Sequence, residues 1–99
     1  MKVADKPGWV YIMANRRQGT IYLGSTSNLV QRAWQHRTSL IEGFTKDYGC
    51  TMLVWFSDCG SIEAARERER QMKKWRRAWK LREIEALNPG WDDLFPSLL

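Results

Sequence analysis

Two short apolar runs, Gly8 to Met13 and Thr20 to Gly24, flank the five-residue turn segment Asn15-Arg16-Arg17-Gln18-Gly19. Runs carrying aromatic and β-branched residues and ended by turn formers read as strands. A short connection ending in glycine suits a hairpin. Side chains alternate across a strand, so Trp9, Tyr11 and Met13 share one face and Val10 and Ile12 the other. Likewise Thr20, Tyr22 and Gly24 lie opposite Ile21 and Leu23. A suitable register sets the phenols of Tyr11 and Tyr22 side by side on one face, with aliphatic side chains behind them.

The hairpin needs more chain to cover it. Ser25-Thr26-Ser27-Asn28 is a cluster of capping residues, and it predicts a helix from there to about Leu40. Leu29, Val30, Ala33, Trp34 and Leu40 form its apolar stripe. Arg32 and His36, four positions apart, flank that stripe one turn above the other. The segment Glu42 to Gly49, bracketed by glycines, reads as a loop. Met52 to Phe56 reads as a third strand, buried on both faces or central. Ser61 suits an N-cap for a helix running from Ile62 into the seventies. On it Ile62, Ala65, Glu69, Met72 and Arg76 share a line, which turns the Glu69 carboxylate inward. A last helix ends near Leu87, where Asn88-Pro89-Gly90 stops it. Trp91, Leu94 and Phe95 then pack back onto the body. These elements predict an α/β (α+β) fold, one domain over 1–99 with its core at about 8–95.

A chain of 99 residues that is 43% hydrophobic, with six tryptophans, has material for one core. It carries no apolar run of about 18 residues, the length that would mark a membrane span. The polar start, Met1 to Gly8, lacks the apolar stretch of a signal peptide, so the expected location is cytoplasmic. Sixteen Lys and Arg against eleven Asp and Glu give a net charge of +5, which suits an anionic partner. Six of those cations lie between Lys73 and Arg82, interleaved with Trp75 and Trp79. Core packing is the expected role of both tryptophans. Cys50 and Cys59 form no CxxC, and the single histidine cannot complete a zinc site with them. They read as two free, partly buried thiols.

Hydrolysis of a phosphodiester needs a deprotonated water, stabilised charge and a neutralised leaving oxygen. The three predicted strands contain no acid, which argues against a clustered two-metal site. Glu69 alone is placed to face the sheet. A carboxylate there must be paired, either in a salt bridge with Arg32, Lys73 or Arg76, or with a metal. One carboxylate, waters and substrate oxygens make a magnesium shell. Arg32 can hold a phosphate oxygen. Tyr11, Tyr22 and His36 are the groups for proton transfer, although a phenol is a weak base unless a cation lowers its pKa. Taken singly, each tyrosine reads as core and His36 as a surface residue. Their combination carries the reading.

Trp9-Val10-Tyr11, Tyr22-Leu23-Gly24, Arg32, His36 and Glu69-Arg70-Gln71-Met72-Lys73 together resemble the GIY-YIG nuclease family. The likeness runs from about Gly8 to Phe95 and is nearest to the small stand-alone branch, in which stretches like Lys74-Trp75-Arg76-Arg77 and Asn88-Pro89-Gly90-Trp91 recur. Trp9 stands where glycine is usual and Leu23 where isoleucine is usual. Neither change removes a polar group. The resemblance implies a small three-stranded, mainly antiparallel sheet flanked by helices. It also implies one divalent metal, Mg²⁺ or Mn²⁺, on Glu69, with tyrosine or histidine assisting proton transfer, and it offers Asn88 as a further site residue.

The sequence therefore predicts a metal-dependent endonuclease acting on nucleic acid, DNA rather than RNA. Tyr11, Tyr22, Arg32, His36 and Glu69 are its catalytic residues. Lys73, Lys74, Arg76, Arg77 and Lys80 contact the nucleic-acid backbone. Target specificity comes from the domain itself, from DNA structure or from a protein partner. Two other readings are a non-catalytic nucleic-acid-binding module and a protein-interaction domain with a basic face.

Overall fold

The computed structural model of the chain describes residues 6–40 and 43–99. Expectations that fall on residues 1–5 and 41–42, namely most of the polar N-terminal segment and the Glu42 end of the loop, lie outside the described residues. The elements run β1 (Trp9–Ala14), β2 (Ile21–Thr26), α1 (Leu29–Arg37), α2 (Phe44–Asp47), β3 (Met52–Asp58), α3 (Ile62–Lys73) and α4 (Arg77–Leu87), closed by a 3-10 turn at Phe95–Leu98.

The sheet is antiparallel throughout, in the order β2-β1-β3. The hairpin pairs Tyr11 with Gly24 and Met13 with Tyr22. Alternation then sorts the side chains as the sequence predicts. Val10, Ile12, Ala14 and Leu23 pack with Ile62, Ala65, Met72, Ile84 and Trp91 under α3 and α4. Tyr11, Met13 and Leu53 pack with Leu29, Ala33, Cys50 and Phe95 under α1 and the closing turn. The sheet is thus covered on both faces. Each fully buried aliphatic side chain stabilises this arrangement by about 1.5–3 kcal/mol.

The central strand is β1, not β3. β3 is nonetheless buried on both faces over Leu53, Val54 and Trp55. A bulge explains its continuous apolar run. Ile12 pairs with Trp55 and Met13 with Leu53, which leaves Val54 as the extra residue. Val54 and Trp55 therefore both face the α3–α4 side. The outer edge of β3 is covered by the tail. Leu94 N–H donates to the Leu53 carbonyl (2.7 Å), and Leu53 N–H donates to Asp93 Oδ1 (3.2 Å).

Helix α1 stops at Arg37, three residues short of the predicted end. Ser39 takes a left-handed backbone, with φ 57°. The segment read as a loop contains the single turn α2, set between Gly43 (φ 111°) and Gly49 (φ 66°). α3 and α4 are separate helices, because Arg76 adopts an extended backbone between them. Cys50 and Cys59 are both free, the former fully buried. Trp75 packs against the core, whereas Trp79 is 46% exposed, so only the first follows the expected packing role.

Candidate active site

Three rings meet on the α1 side of the hairpin. The ring centres of Tyr11 and Tyr22 are 6.4 Å apart, those of Tyr11 and His36 5.5 Å, and those of Tyr22 and His36 5.3 Å. The Tyr11 hydroxyl is hydrogen-bonded to His36 Nε2 at 2.8 Å. His36 Nδ1 is bonded in turn to Thr45 Oγ1 at 2.9 Å. Both partners are hydroxyls, so one tautomer accepts a hydrogen bond from the Tyr11 hydroxyl and donates one to Thr45, and the other reverses both bonds. His36 is not the surface residue that its position on the helix suggested. It is 3% exposed, and α2 covers it.

Gly24 makes this geometry available. It pairs with Tyr11 across the hairpin, and the phenol lies over it. A Cβ at Gly24 would sit 2.7 Å from the Tyr11 oxygen and 3.0 Å from the Tyr22 ring. The missing side chain lets the phenol of the central strand reach out over β2, the edge strand.

Glu69 arrives from the other side of the sheet. It projects from α3 and accepts a hydrogen bond from Ser25 Oγ at Oε1 (2.5 Å). Ser25, two residues on from Leu23, shares its face of β2 and so lies on the α3 side. The site therefore wraps the edge of β2, with the phenols on one face of the sheet and the carboxylate reaching it from the other. Oε2 of Glu69 is paired with Lys73 Nζ at 2.5 Å, one of the ion pairs the sequence allowed. Arg32 is exposed on α1, and no carboxylate among the described residues pairs with it.

Electrostatics ties these groups together. Burial, reinforced by Tyr22 and Glu69, pushes the Tyr11 phenol well above its usual range, and the Arg32 cation only partly offsets this. Arg32 alone thus does not make Tyr11 acidic. Burial, with Arg32 adding to it, holds His36 down to about 4. The relay at neutral pH is a protonated phenol on a neutral imidazole. The hydrogen bond to Glu69 holds the Lys73 ammonium above its ordinary value.

The basic stretch divides. Lys73 faces Glu69. Arg77 donates to the carbonyls of Gln18 and Gly19 at 3.0 and 2.5 Å and so pins the hairpin turn. Lys74 and Arg76 are exposed at the α3–α4 turn, and Lys80 is half-buried. The Asn88 amide is taken up by backbone. It donates to Val54 O (3.1 Å) and Asp92 O (2.8 Å), and it accepts from Asp92 N–H (3.0 Å). The structure brings Tyr11, Tyr22, Arg32, His36 and Glu69 together and leaves Asn88 tying the bulge to the tail. Thr45 and Ser25 carried no role at the site in the sequence reading, and Gly24 entered it only as the end of the Tyr22-Leu23-Gly24 motif. Thr45 sat in a presumed loop, where Phe44 and Tyr48 at helical spacing were the available sign of a turn. Ser25 was absorbed into a capping cluster.

An antiparallel sheet with paired phenols, a helix-borne arginine and histidine, and a glutamate from a second helix defines a class of small nuclease fold. The GIY-YIG catalytic domain matches residues 7–82 of this chain. The protein belongs to the GIY-YIG nuclease family. It is 28% identical over 95 residues to UPF0213 protein DP2720 of Desulfotalea psychrophila, spanning 94% of this chain and 86% of that protein. No solved structure matches the chain.

Nucleases of this family generally use a divalent metal. Among the described residues no group of three His, Cys, Asp or Glu side chains could hold one. The donors around Glu69 are hard oxygens, its own carboxylate and the Ser25 hydroxyl. That set fits a cation which keeps most of its waters, as Mg²⁺ does. Lys73 bears the same sign of charge on the same carboxylate and would have to yield to it.

Proposed function

We propose that this protein is an endonuclease that hydrolyses phosphodiester bonds in DNA, using one Mg²⁺ or Mn²⁺ ion held on Glu69. The observation that carries this reading is the Tyr11–His36 hydrogen bond within electrostatic range of Arg32 and Glu69. When bound, the cation supplies charge neutralisation at the phosphoryl and leaving oxygens. The side chains supply the rest. Arg32, exposed and paired with no carboxylate among the described residues, clamps a non-bridging phosphate oxygen and stabilises charge as it develops. Tyr11 is protonated at rest, so it takes a proton from water only as its own passes to His36 Nε2. The water O–H bond breaks as its oxygen attacks phosphorus, and the bond from phosphorus to the leaving oxygen breaks in turn. The departing alkoxide takes a proton from solvent, and the water's own proton is accounted for as an imidazolium on His36. That imidazolium is disfavoured in the free protein by burial and by Arg32. The negative charge of the reacting phosphate beside it offsets both effects.

The test is incubation with nicked, branched and single-stranded DNA, with and without Mg²⁺ or Mn²⁺. Metal-dependent cleavage is expected, falling at least about 100-fold in Glu69→Gln and Arg32→Ala with unchanged circular dichroism. The Glu69–Lys73 ion pair is the one feature that favours a non-catalytic binding module. Binding without cutting at any metal concentration would support that alternative.

A further inference from the structure

Rings continue outward from the proposed reaction centre. Beyond Tyr22 lies Phe44 at 6.0 Å, and beyond Phe44 lies Tyr48 at 4.6 Å, tilted by 33° and 34°. The row Tyr11, His36, Tyr22, Phe44, Tyr48 thus leads without a gap from a buried phenol into solvent. Its outer members are 45% and 55% exposed. Aromatic side chains of this size are ordinarily the main apolar contribution to a core. A single helical turn has one inward side, and in α2 Thr45 occupies it, 3% exposed and bonded to His36. Phe44 and Tyr48 are therefore held outward by the same turn that completes the relay.

Two adjoining, mutually tilted rings ending in solvent beside the proposed phosphodiester site offer exposed π faces. Any nucleobase can stack on such a face, without sequence readout. Bases within a continuous duplex have both faces covered by their neighbours, so only an unpaired or frayed base can use it. We propose that Phe44 and Tyr48 form a stacking platform for an unpaired nucleobase next to the scissile phosphate, which directs the enzyme to DNA with an unstacked base at the cut. This rests on the nuclease reading above for its substrate.

The experiment uses the full chain carrying Glu69→Gln, without divalent cation. Fluorescence anisotropy compares a short labelled single strand, the same sequence as duplex, and the single strand made abasic. The single strand is expected to bind about tenfold more tightly than the abasic strand. Phe44→Leu/Tyr48→Leu should remove that difference while leaving duplex binding unchanged, and Tyr48→Phe should retain it. Tyr48→Leu alone, one ring further from His36, serves if the double variant fails to fold. Equal affinity for intact and abasic strands, or equal weakening of strand and duplex in the leucine variants, would overturn the platform. The parent reading is judged separately. Cleavage by the wild type whose preference for branched or single-stranded DNA survives Phe44→Leu/Tyr48→Leu refutes the platform alone. Strand discrimination without any cleavage keeps the platform and refutes the nuclease.

Discussion

Thr45 and Tyr11 hold the two ring nitrogens of His36, so the imidazole is fixed in place and buried with both positions satisfied. Thr45→Val keeps the shape and removes the hydroxyl, leaving a buried ring nitrogen unpaired. The expected cost is about 1–3 kcal/mol in urea denaturation, with cleavage falling and its pH profile shifting because His36 is no longer fixed. The histidine also gives stability a pH dependence. Its folded value of about 4 lies below the unfolded 6.5, so folding favours the neutral ring. Its contribution is complete above pH 6.5 and is lost as pH falls toward 4, amounting to about 3 kcal/mol. Denaturation midpoints measured from pH 7 to pH 4 should fall less in His36→Gln than in the wild type.

Among the elements, β2 and β3 owe their roles to one residue each. Gly24 keeps β2 low enough for the Tyr11 phenol to pass over it. Gly24→Ala, with its methyl 2.7 Å from that oxygen, should break the Tyr11–His36 contact and abolish cleavage. Its stability loss should be about 1–3 kcal/mol by calorimetry. The hairpin, its faces and the helix bearing Arg32 and His36 were legible in the sequence, because alternation and capping are local rules. The Val54 bulge was not. A run such as Met52 to Phe56 looks the same whether a strand is central or an edge strand with one extra residue. The burial of His36 was equally invisible, since it depends on a turn that only docking onto α1 stabilises. The inward line of α3 marked Glu69 correctly as paired. Which face of the sheet it came from could not be read without the crossover from β3 to α3.

Over the whole molecule, the +5 charge is unevenly available. Lys73 and Arg77 are engaged within the protein, whereas Lys74 and Arg76 stand exposed. Lys74→Ala and Arg76→Ala should each flatten the slope of log affinity against log salt by about 0.7 for single-stranded DNA, without changing the melting temperature. Arg77→Ala should lower the melting temperature, because it frees the Gln18–Gly19 turn. Titrations at several salt concentrations, with thermal melts alongside, separate the two kinds of cation.

The contacts of the site span very different lengths of chain. The phenols lie eleven residues apart, the Tyr11–His36 bond spans 25 and the Ser25–Glu69 bond 44. Closing longer loops costs more chain entropy and is slower. The hairpin can therefore form early, while the carboxylate joins it only after β3 and α3 have docked. A half-folded or newly emerging chain would carry its tyrosines in register yet lack the acid. On the proposed reading, cleavage therefore depends on a contact that closes only after the hairpin is in place.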